Sequence, residues 1–134
     1  MQRCSLDEIL RTAKLVPFEQ KHIQFLISLI KKQSAKGLVV RFHPLFAFTP
    51  QEALSKMRDG VFVLTCPQIQ ADFVFLCESG GKGLLGGQKR VFRVFAGDLE
   101  QDEFSAASSY KSFGIAATSV NNIFRSEGLL SGAV

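Results

Sequence analysis

Between residues 18 and 33 apolar side chains recur every three or four positions, at Phe18, His22, Phe25, Leu26, Leu29 and Ile30. That spacing gathers them on one face and predicts a helix over about 18–33, with Phe25 among its buried positions. Lys31 and Lys32 suit its last turn and Gly37 its stop. Upstream, Ser5 and Glu8 have capping-box spacing, and Asp7 and Glu8 suit the positive end of a helix over 6–15. Pro17 separates the two helices. Thr49-Pro50-Gln51-Glu52 reads as a second capping box, with Pro at the first helical position, and opens a short helix to Arg58.

The period then changes. Runs rich in β-branched and aromatic residues predict strands over 38–42, 61–65, 72–77 and 89–95. His43-Pro44 and Pro67 close the first two, because proline cannot donate to a ladder. Asp98 follows Gly97 as the cap of a further helix, whose first turn holds Asp98, Glu100, Asp102 and Glu103. This helix breaks near Gly114, and a last helical segment over 115–126 stops at Gly128. Consecutive central strands point to an α+β fold. The expected form is one domain over 1–134, an antiparallel sheet of three to four strands with the N- and C-terminal helices packed on one face. An extra N-terminal helix precedes an α-β-β-β-α core. One edge of that sheet, at 60–64, would be open, which favours association with a partner or with itself.

Composition adds little to the fold and more to the function. With 134 residues, 46% of them hydrophobic, the chain can bury a core without a metal or a disulfide. Its 13 Phe and no Trp suit that core, with a few rings left for a binding surface. Cys4, Cys66 and Cys77 are odd in number and lack metal-ligand spacing, as expected of reduced thiols in a cytoplasmic protein. The apolar runs are far too short for a membrane span, and no secretory signal is evident, so membrane insertion is not expected.

Net charge is +4, but its distribution says more than its size. No acid lies between Glu19 and Glu52, or between Glu78 and Asp98. These windows hold Lys21, Lys31, Lys32, Lys36 and Arg41, and Lys82, Lys89, Arg90 and Arg93. Brought together, they would form the positive surface of a polyanion binder. In the strand 89–95, parity puts Arg90, Phe92 and Val94 on one face and Val91, Arg93 and Phe95 on the other, leaving open which set is exposed.

Candidate chemistry is sparse. His22 falls on an apolar helix face, and His43 ends a strand beside a proline. Neither accompanies a nucleophile motif. HExxH, CxxC and DxD patterns are missing, so no metal or other cofactor is expected. The glycine-rich stretch 79–87 departs from the Walker pattern, because Lys82 precedes most of the glycines and no Ser or Thr follows it. It reads as a hairpin tip rather than a nucleotide loop, and no small-molecule substrate is expected. The chain reads as a binding protein, not an enzyme.

Three stretches carry a family resemblance. Residues 18–36 lead into Gly37-Leu38-Val39-Val40-Arg41-Phe42. Phe73-Val74-Phe75-Leu76-Cys77 ends in the polar turn Glu78-Ser79-Gly80-Gly81-Lys82, and Lys89-Arg90-Val91-Phe92-Arg93-Val94-Phe95 follows. Asp98-Leu99-Glu100-Gln101-Asp102-Glu103-Phe104, then Tyr110 and Phe113, come next. In order and local pattern, over roughly 18–114, this resembles the fourteen-kilodalton subunit family of the signal recognition particle, which binds Alu RNA. The chain departs from that family in its uncharged C-terminus, in its short helix in place of a basic loop, and in its longer glycine-rich tip. The resemblance implies a small RNA-binding subunit of a ribonucleoprotein that delays translation during protein targeting. It also implies a small homologous partner in a heterodimer, and a basic surface for structured RNA. By position its contacts would be Lys36, Arg41, Lys82, Lys89, Arg90 and Arg93, neutralising phosphates rather than reading bases. The rival reading is an adaptor subunit that uses a sheet edge and exposed Phe residues.

Overall fold

Ser5 starts the first helix, as its spacing from Glu8 leads one to expect. In the computed structural model, which describes residues 3–37, 39–82, 88–105, 108–111 and 113–117, strand β1 is Arg3–Cys4 and helix α1 is Leu6–Thr12. The Ser5 hydroxyl accepts the Glu8 amide at 3.2 Å. The helix stops short of residue 15 because residues 14–16 are drawn onto the sheet. Val16 donates its amide to the Cys77 carbonyl, and Ser79 donates to that of Lys14. Helix α2 (Gln20–Ala35) buries His22, Ile23, Leu26, Leu29 and Gln33. Phe25, expected on that face, is instead 45% exposed. Gly37 ends the helix at φ +86, a backbone state that glycine adopts without strain.

The strand expected over 38–42 shortens to β2, Arg41–Phe42. Gln68 explains part of the loss: its side chain accepts the Val39 amide at 2.6 Å and donates to the Gly37 carbonyl at 2.7 Å, standing in for a neighbouring strand. Helix α3 (Pro50–Arg58) begins as expected, with the Thr49 hydroxyl accepting the Glu52 amide at 3.1 Å. Three long strands follow: β3 (Val61–Cys66), β4 (Ala71–Lys82) and β5 (Gln88–Asp98).

The helix expected from Asp98 is not there. Asp98 spends its carboxylate on the Glu100 amide at 2.9 Å, and Asp72 accepts the Leu99 amide at 2.7 Å. Asp102, at φ 55, donates its amide to the Leu99 carbonyl and closes a turn. A side chain that can cap a helix can equally hold a turn, and here the turn wins. It returns the chain as β6 (Glu103–Ser105) and then β7 (Ser108–Tyr110), both paired with β5. Residues 113–117 are helical. The remainder of the segment expected over 115–126 lies outside the described residues, as does the 83–87 part of the glycine-rich tip.

The sheet therefore has seven strands rather than three or four, all antiparallel, in the order β1-β6-β5-β4-β3-β2 with β7 beside β5. The 60–64 edge is interior: β3 lies between β4 and β2, and His43 donates its amide to the Val63 carbonyl. The outermost strands β1 and β2 are two residues each, too short to template another chain. The motive for self-association goes with the open edge.

Helices cover both faces, not one. On one face α2 and residues 113–117 pack over Phe62, Leu64, Phe73, Phe75, Phe92 and Val94. On the other, Leu6, Ile9 and Leu10 of α1 pack over Val61, Val63, Val74, Leu76, Phe95 and Phe104. Every residue of β3 is consequently buried. The larger core is a cluster of rings, with Phe62 stacked on Phe75 at 4.7 Å and Phe113 packed edgewise against Phe18, Phe62 and Phe92. Among the described residues no helix is long and apolar enough to cross a membrane.

Candidate functional site

The two acid-free windows meet where α2 begins beside the start of β5. Pro17 and the Glu19 cap fix the helix start, and β5 brings Arg90 alongside it. Arg90 reaches Glu19 at 2.5 Å, and Lys21 lies 3.2 Å from the same carboxylate. These residues line an open cleft of about 480 Å³ together with His22, Phe25, Phe92, Lys111, Phe113 and Gly114. Two cations thus flank the Glu19 carboxylate at the positive end of a 16-residue helix, and a third, Lys111, lines the same cleft.

Burial and hydrogen bonding set the state of each group. The His22 ring is buried, and its Nδ1 accepts the Glu19 amide at 3.0 Å. An amide can only donate, so Nδ1 holds a lone pair and the ring proton of the neutral form sits on Nε2. Desolvation pushes the imidazole below its ordinary pKa, although the Glu19 charge pulls the other way. Hydrogen bonding from Lys21 pulls the Glu19 carboxyl below its ordinary value, with the Arg90 charge adding to it. Arg90 is partly buried, and its Nε finds no hydrogen-bond partner among the described residues. Burial pushes the neighbouring Cys77 thiol up to about 11, despite the Arg90 charge.

Aromatic rings form the floor and one wall. His22 lies 4.9 Å from Phe92 and 5.1 Å from Phe113. Phe113 in turn meets Phe25 at 5.8 Å with the rings nearly perpendicular. A cleft with cations at its mouth and a half-exposed ring beside them suits an anion that carries an aromatic group. It does not suit acid–base catalysis, because the Nδ1 lone pair of His22 is taken and its pKa is depressed.

The expected contact residues do not share one surface. Arg90 is in the cleft, and exposed Lys89 precedes it on β5. Lys82 pairs with Gln88 through the backbone. Arg93 points to the opposite face, bonded to Glu78 at 3.1 Å and lying over the Phe95 ring. Lys36 is at the far end of α2, fifteen residues or about 22 Å from Lys21 at helical rise. Arg41 lines a different cleft, beside Asp72, Asp98 and Glu100. It lies level with Asp72 on the sheet, whereas Arg90 lies level with Ser79, about 24 Å away at strand rise. Lys21 and Phe25 were legible as a one-turn pair on α2, whereas Lys111 lay within a segment read as helix.

His43 shows why the second cleft is structural. Its Nε2 faces Asp72 at 3.4 Å, its Nδ1 accepts the Leu45 amide at 3.1 Å, and both side chains are buried. With both ring nitrogens engaged, His43 pins the 43–47 turn to β4. Among the described residues no group of three or more His, Cys, Asp or Glu side chains is placed to hold a metal ion. No protein-family model matches this chain, and no curated protein or solved structure matches it.

Proposed function

We propose that this chain is a small RNA-binding protein whose contact surface centres on the cleft between α2 and β5. The observation that carries this reading is the gathering of Lys21, Arg90 and Lys111 in one cleft beside the half-exposed ring of Phe25. Each cation neutralises a phosphate and releases a counterion, so the three contribute a salt-dependent affinity that is largely indifferent to sequence.

The reading rests on the cleft more than on the family resemblance. The stretch matched to the family's first strand is the two-residue edge strand β2, and β3 intervenes before β4. The narrower role, an RNA-binding subunit within a ribonucleoprotein of the signal recognition type, is proposed on residue pattern alone. The RNA and protein that co-purify with the tagged chain identify it.

The direct test is an RNA titration across salt concentrations. Lys21 and Lys111 are exposed, so their joint change to Gln leaves the fold intact. It should flatten the log–log salt slope by about two. An unchanged slope and affinity would remove the cleft from the interface.

One observation favours an adaptor as the second reading. Beside β2, Val39, Leu45 and Phe48 are 52%, 61% and 80% exposed. Exposed apolar side chains near one edge strand are what an adaptor would offer to a protein partner. Binding through them would change little with salt, which separates the two readings in the same titration.

A further inference from the structure

Phe25 and Lys21 stand one helical turn apart on α2, and their side chains share one face at the mouth of the cleft. Resting on the RNA reading, we infer that the cleft takes an unpaired nucleotide, whose base stacks on Phe25 while its phosphate sits among Lys21, Arg90 and Lys111.

Three features carry this. The first is the ring. Phe25 is 45% exposed, although the periodicity of α2 assigns it to the apolar face, and Phe113 braces it nearly at right angles rather than covering it in parallel. A braced, half-open ring beside cations is a stacking platform, and stacking needs a base that has left its own stack. The second is size. A cleft of about 480 Å³ has room for one nucleotide, whereas a double helix keeps its bases stacked inward away from any protein ring. The third is charge order. Lys21 lies N-terminal to Phe25 at the positive end of the helix, and Arg90 faces it from β5, so the anionic part of a ligand is drawn to the helix start and its planar part to Phe25.

The test compares a short single-stranded oligoribonucleotide, a blunt RNA duplex and a nucleoside monophosphate. The single strand should bind more tightly than the duplex at equal salt. Phe25→Ala should weaken single-strand binding roughly five- to a hundredfold and leave duplex binding unchanged. The chain has no Trp, so Phe25→Trp introduces the only indole, and stacking should quench its fluorescence as the oligonucleotide is added. If the duplex binds as well as the single strand, and Phe25→Ala binds both as the parent does, the inference fails while the RNA reading stands. If the monophosphate binds as tightly as the oligonucleotide, the site belongs to a free nucleotide and the inference is overturned. If none of the three binds, the RNA reading falls with it.

Discussion

Arg90 and Glu19 meet at 2.5 Å across 71 residues of sequence, joining the start of β5 to the start of α2. The contact holds the cleft together, and it also masks part of its positive charge. Its two ends should therefore respond to substitution in opposite ways.

Glu19→Gln removes the only carboxylate lining the cleft among the described residues and leaves Arg90 and Lys21 free for phosphate. RNA affinity should rise, with a log–log salt slope steeper by about one. Arg90→Gln should lower affinity and flatten the slope by about one. The pair is partly exposed, so each change should cost no more than about 1 kcal/mol in stability. Salt titrations followed by fluorescence anisotropy decide the matter, and equal slopes for the parent and both variants would refute it.

His22 makes stability depend on pH. Burial holds its imidazole below the ordinary value of 6.5. Below that pH the unfolded chain takes up a proton that the folded chain does not. The stability conferred by the neutral ring is complete above 6.5 and is lost as pH falls toward the lower folded value. His22→Gln keeps a side-chain acceptor for the Glu19 amide and removes the titration. Melting temperatures measured from neutral to mildly acidic pH should converge for parent and variant as pH falls. Parallel curves would count against this assignment.

The thiols should divide by burial. Cys66 and Cys77 are fully buried, and desolvation raises both, Cys77 to about 11. Only the thiolate reacts, so a thiol-alkylating reagent near neutral pH should leave both unmodified in the native protein and modify both in denaturant. Cys4 is half-buried and also raised by burial, and should react slowly in the folded state. Peptide mass spectrometry reads all three. Rapid native labelling of Cys77 would mean that the core around β4 opens.

Two glycines should differ sharply. A Cβ at Gly97 would lie 2.1 Å from the Glu103 carbonyl and 2.7 Å from the Phe104 Cα, so Gly97→Ala must push β6 away from β5. It should cost about 3 kcal/mol or more, as an overpacked interior does. Gly37 has open space around it and pays only for its φ of +86, so Gly37→Ala should cost about 1 kcal/mol. Denaturation midpoints give both, and equal midpoints for the two variants would contradict the close approach at Gly97.

Much of this architecture is written plainly in the residues, and the failures have physical causes. Ser5 with Glu8 and Thr49 with Glu52 mark helix starts because one hydroxyl satisfies one orphan amide. Such a signal is local and needs no partner. Burial of the sheet on both faces was missed, although the unbroken apolar runs 61–64 and 73–77 lack the polar alternation of a half-solvated strand. Asp98 misled because its carboxylate serves a turn as well as a helix, and Asp72, distant in sequence, tips the balance by holding the Leu99 amide. The cleft was half legible. Lys21 and Phe25 share a face by spacing alone, but nothing local to Arg90 or Lys111 says that the sheet carries them to the same place. Spacing from Phe18, His22 and Leu29 assigned Phe25 to the interior, but those side chains occupy that face and Phe25 is left 45% exposed.

The N-terminal strand has a consequence for how the chain is made. Arg3 pairs with Glu103 at 2.8 Å, and Asp102 accepts the Leu6 amide, so β1 and α1 are fastened to β6 and the turn before it across sequence separations of 96 and 100. These residues leave the ribosome about a hundred positions ahead of the strand they pair with, and until it emerges they lack that partner. The β4–β5 hairpin forms from neighbouring segments, while β1 and the start of α1 complete their pairing only when residues 102–105 have emerged. Until then Ile9, Leu6 and Leu10 have no Phe104 to cover, and that apolar strip stands open to a chaperone.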